Sequence, residues 1–176
     1  MLDGMNFDVD PIPGFDEAYG LLIAVLEDGT REWKEELPPE LDADIMVWRP
    51  RPRGQSMGAV ILHMIHAELF WFETFALGKE IGEEDKKELL WDELDVDVSL
   101  WPEPPHQPLS WYLDLYRRYR TRTLEAVKSW PAPETMIDLH GRRRSLRWAL
   151  GHVIQHDSYH GGQVVMLYDL YKNRQV

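Results

Sequence analysis

Residues 145–172 read SLRWALGHVIQHDSYHGGQVVMLYDLYK, and this stretch decides the fold. Ser145 is a natural N-cap, and the run from Leu146 to Lys172 carries no proline and predicts one long helix. Within it His152, His156 and His160 fall one helical turn apart, three of the chain's seven histidines in nine positions. Residues i and i+4 have Cβ atoms about 6 Å apart, so His152 with His156, or His156 with His160, can share one metal ion. All three cannot, because two turns rise about 11 Å. One pair is therefore expected to bind, and a further ligand must come from another helix.

Upstream, residues 16–36 and 109–130 also read as helices. The first shows Tyr19, Leu22, Ile23, Leu26, Thr30, Trp33 and Leu37 near a helical period; the other is ended by Pro131 and Pro133. Ser56 caps another over 57–77, with Gly78 as its stop. In that helix LHMIHAELFWFE places His63 and His66 among Leu62, Ile65, Leu69, Phe70 and Phe72, where a histidine can project toward a partner helix. The proline-rich stretch after residue 37 reads as a connection, and MIDLHGRRRS as a turn or short hairpin about Gly141. Acidic residues 79–108 are expected to loop outside the helices, with a short surface helix around Lys86 to Leu94. Four long amphipathic helices with few strand signals predict an all-α chain, a four-helix bundle forming a single domain over 1–176.

Composition narrows the function. A net charge of -12 opposes binding to nucleic acid or to an anionic membrane surface. The chain has no cysteine, which excludes disulfides, thiolate ligands and a thiol nucleophile of its own. No apolar run reaches the length of a membrane span and the N-terminus does not read as a signal peptide, so a soluble cytoplasmic protein is expected. His156-Asp157-Ser158-Tyr159-His160 approaches the H-E-x-x-H of zinc proteases. Aspartate is one methylene shorter than glutamate, however, and the sixteen residues after His160 hold no His or Glu as a downstream ligand.

HMIHAELFW, with His63, Glu68 and Trp71, and then GRRRSLRWALGHVIQHDSYHGGQ resemble the DinB/YfiT-like family of metal-dependent enzymes, which is unrelated to the DNA polymerase of the same name. The resemblance covers most of the chain. It implies a bundle of up-down-down-up order, often dimeric, binding a divalent metal such as zinc or nickel through His63, His156 and His160. It also implies thiol-dependent S-transfer or isomerisation of a small molecule; hydrolysis by a metal-bound hydroxide would use the same three ligands. Asp157 stands where the family often has Glu, and Gly161 where a basic residue is common; both departures bear on the substrate. The competing expectation is a non-catalytic, metal-stabilised homodimeric binding module.

Other residues carry weaker signals. His66, His152 and Gln163 are candidates for acid–base or supporting roles, each with a plain structural role as the alternative. Arg142, Arg143 and Arg144, with Arg147, form the one strongly basic patch, suited to docking the carboxylates of a thiol cosubstrate or acidic substrate. Glu68 lies about 140° around the helix from His63, too far to share its ion. Trp71, Trp111 and Trp148 are the candidates to line a pocket.

Overall fold

A computed structural model describes residues 8–94 and 101–174. The chain is mostly helical. Its long elements are α1 (Glu17–Glu35), α3 (Met57–Leu69), α5 (Leu109–Val127) and α6 (Leu146–Lys172); α2 (Ala43–Val47) and α4 (Glu83–Leu89) are short. A two-stranded antiparallel sheet, β1 (Met136–Leu139) with β2 (Arg142–Ser145), precedes α6. No helix among the described residues is long and apolar enough to cross a membrane.

The helix starts follow from local chemistry. Asp16, Asp42, Ser56 and Ser145 each accept a hydrogen bond from a backbone N–H of the following first turn. Asp42 opens α2, a turn of helix inside the stretch expected to be only a connection. In the hairpin Leu139 pairs with Arg142, leaving His140 and Gly141 as a two-residue turn, both at positive φ. Such a turn follows the right-handed twist of the strands, and glycine takes its second position without strain.

The helix over 57–77 changes character midway. After Leu69 it widens into a π-helix, Phe70–Phe75, before ending at Gly78. A π-turn inserts an extra residue and re-aims the side chains beyond it. α3 is buried on nearly every side, as a central helix must be.

The buried residues form two apolar clusters. One gathers Trp33, Met57, Ile61, Leu69, Tyr112, Tyr116 and Leu167; the other gathers Tyr19, Ile23, Leu26, Phe72, Trp130, Leu146 and Leu150. Between them along the four long helices come the buried polar residues Thr30, Glu68, Arg120, Thr123 and Asp157. The acidic segment differs from expectation: it does not simply loop outside. Leu89 and Leu94 are fully buried in the first cluster, and the surface helix begins earlier than expected, at Glu83. Of that expected loop, residues 95–100 lie outside the described residues.

Candidate metal centre

α6 and α3 bring the histidines together. The buried stripe of α6 runs Leu146, Ala149, Leu150, Val153, Asp157, His160, Gly161, Val164 and Leu167, which turns His160 inward and leaves His156 at the stripe's edge. His63 projects from the middle of α3. One ring nitrogen each from His63, His156 and His160 lies within 4.8 Å of the other two. Nε2 of His63 and Nε2 of His156 are 3.0 Å apart, one donating and the other accepting. Ligand nitrogens on a tetrahedral zinc with bonds of about 2.0–2.1 Å would stand about 3.3 Å apart. Three imidazoles at this spacing, without a thiolate or carboxylate, suit a borderline divalent ion such as zinc or nickel.

The surroundings keep these rings neutral, as ligands must be. Burial, and then the neighbouring His160 and His66, lower the pKa of His63 to about 3, the Leu94 backbone acting the other way. Burial lowers His156 to about 2, with His160 and His63 adding to it. His160 is also lowered by burial, against the pull of Gln163 and Asp157. Its Nδ1 lies 2.7 Å from Oε1 of Gln163. The amide oxygen can only accept, so Nδ1 carries the proton and the Nε2 lone pair is left free. Metal-binding histidines are commonly oriented in this way.

His152 is outside the convergent set; its ring stacks on Trp148 at 4.9 Å, and burial followed by Arg144 lowers its pKa. His66, one turn from His63, packs against Trp91 at 3.8 Å. Arg142, Arg143 and Arg144 lie on β2 and line a shallow hollow with Met136, Ser145 and Trp148. Arg144 also sits over the rings of Trp71 and Trp148. Trp71 lines a cavity of about 590 Å³ beside the histidines, whereas Trp111 packs on Tyr112 away from it.

Two tryptophans were missed. Trp101 lies against His63 at 4.5 Å, its carbonyl held by Nη2 of Arg49 at 3.0 Å. Trp91 follows α4 and lines the cavity. Both belong to the proline-rich or acidic segment whose irregular sequence shows no period to place them.

Both departures from the family pattern point away from the cavity. Asp157 is buried; its Oδ2 accepts from Thr30 Oγ1 at 2.9 Å and Trp33 Nε1 at 3.2 Å, and its Oδ1 accepts from Tyr116. Arg120 lies 3.5 Å from the same carboxylate and donates through Nε to Glu68 at 2.9 Å, which engages Glu68 in an ion pair between helices. Gly161 faces the Trp33 indole so closely that a Cβ there would stand 2.3 Å from the ring. Asp157 and Gly161 therefore fix how α1 seats on α6.

With this geometry in place, comparison with known proteins is informative. The DinB family profile matches residues 26–171. The chain belongs to the DinB family. Among solved structures, this DinB chain is similar to the crystal structure of a DinB-like protein from Bacillus cereus ATCC 10987. The TM-score is 0.58 at 22% identity, covering 82% of this chain and 89% of the other. That likeness supports a shared DinB-like fold. No curated protein sequence matches.

Proposed function

We propose that this DinB-family chain is a divalent-metal enzyme acting on a small molecule, with His63, His156 and His160 holding one zinc or nickel ion. The observation that carries the reading is the convergence of three neutral imidazoles at an aromatic cavity. Three protein ligands leave a coordination position open, as catalytic rather than structural zinc sites do. A bound ion would supply Lewis acidity there, lowering the pKa of coordinated water or holding a thiol as thiolate.

The chain's own residues do the rest. Gln163 fixes the His160 tautomer, while His66 and His152 flank the cavity and offer imidazoles for proton transfer. Without cysteine, a thiol nucleophile would have to arrive as a small cosubstrate. Arg142, Arg143 and Arg144 are the nearby cations that would dock its carboxylates. A basic hollow next to the histidine cavity favours small-thiol S-transfer over hydrolysis, which needs no such dock.

The proposal extends to the arrangement of the helices: a four-helix bundle of up-down-down-up order. It is supported by the N-terminal halves of α1 and α6 sharing one apolar cluster with the C-terminal ends of the α3 and α5 segments. A cytoplasmic homodimer completes the reading, supported by Leu21, Val25, Met166 and Leu170 exposed on α1 and α6.

The test is a screen of zinc- and nickel-loaded protein with small thiols paired with electrophiles, alongside small esters and amides. Thiol-dependent turnover that disappears with a chelator and returns with metal is the expected result. Turnover indifferent to metal removal would contradict the reading.

A further inference from the structure

The cavity beside the three imidazoles has walls that say what it takes. Phe70 and Trp71, at the start of the π-helix, form one side, and Trp91 after α4 forms another; His66 and His152 add two imidazole rings. No Lys or Arg lines it among the described residues, and Asp92 is the one carboxylate that does. Its volume of about 590 Å³ is that of a small-molecule site. The rings are held in place by one another: Trp71 meets Phe70 at 5.2 Å, Phe75 at 5.0 Å and His152 at 5.0 Å, all near edge-to-face. Such walls are preorganised for a flat apolar guest, which gains ring–ring contact without reorganising them. An anionic guest would lose its hydration there and meet Asp92. The cations lie instead on β2, where Arg142, Arg143 and Arg144 line a neighbouring hollow, Arg144 sitting over the rings of Trp71 and Trp148.

We infer that this cavity is a subsite for the uncharged aromatic part of the substrate, distinct from the arginine hollow that would take anionic groups. The inference deepens the metal-enzyme reading and rests on it for the reacting end of the substrate, but the recognition surface belongs to the chain alone. The division matters chemically. A charged cosubstrate and a neutral aromatic partner then occupy neighbouring pockets that meet at Trp148 and His152, and neither competes for the other's place.

The experiment measures binding of indole, benzoate and succinate by NMR titration, to metal-free protein and to zinc-loaded protein. Indole is expected to bind both forms, in the metal-free form more tightly than either anion, and to show cross-relaxation to the Ala67 methyl in the cavity wall. Trp91→Ala is expected to weaken indole about tenfold by removing one stacking partner, with zinc content unchanged. Trp111→Ala, outside the cavity, should leave indole binding as it was. Benzoate or succinate binding the metal-free protein as well as indole, or indole binding without contact to Ala67, would overturn the subsite. Indole bound as expected by a protein that takes up no zinc would keep the subsite and sink the metal reading instead.

Discussion

His160 shows how much a single neighbour can decide. Its Nδ1 proton is held by Gln163, three residues along the same helix, and that contact frees Nε2 for a ligand role. Gln163→Leu should therefore lower divalent-metal affinity about 10–100-fold, the usual effect of losing such a supporting contact. Competition with a chromogenic chelator measures it; unchanged affinity would show that packing alone orients the ring. The one-turn spacing made two candidate pairs legible, His152 with His156 and His156 with His160, and only the family resemblance chose the second and added His63. It did not make Asp157 legible. Periodicity reports which face turns inward, but the partners of a buried carboxylate lie on other helices, at Thr30, Trp33 and Tyr116.

Among the elements, α5 carries no expected ligand, yet its Arg120 joins the helices. The guanidinium reaches Glu27 on α1 at 2.6 Å, Glu68 on α3 at 2.9 Å and Asp157 on α6 at 3.5 Å. Arg120→Met would leave Glu68 and Asp157 buried without their cation. The expected cost is about 3–5 kcal/mol of unfolding free energy, because an uncompensated buried charge is worse than no pair at all. Urea denaturation would read it, and a loss under about 1 kcal/mol would mean that the network relaxes or admits water. The long helices were legible from their caps and prolines, α6 over its full length. The π-helix was not: Phe70 to Phe75 continue the apolar run of α3, and composition does not distinguish a widened turn from an ordinary one. The inward turn of residues 89–94 was not legible for a related reason. The segment's acidic composition reads as surface, while Leu89, Trp91 and Leu94 turn inward only because a helix face and a histidine cavity await them.

At the level of the whole molecule, burying the histidines couples stability to pH. His63 and His156 are lowered to about 3 and about 2 in the folded chain, from an ordinary value of 6.5. As pH falls below about 6.5 the unfolded chain takes up protons that the folded chain refuses, so folding weakens. The metal-free protein should lose stability from pH 7 to pH 5, by up to about 1.4 kcal/mol per pH unit for each of the two rings. Thermal unfolding across that range would show it; a flat profile would place both rings in water. A bound ion stabilises the folded state further, by about 2.7 kcal/mol at a hundredfold excess over its Kd. The central claim is that one ion is shared by His63, His156 and His160. Metal content of purified, zinc-replete protein tests it most directly, comparing wild type with four single variants. One ion per chain is expected for wild type and for His152→Ala, with most of it lost in His63→Ala, His156→Ala and His160→Ala. An empty wild type, or a site emptied by His152→Ala and kept by His160→Ala, would contradict the account.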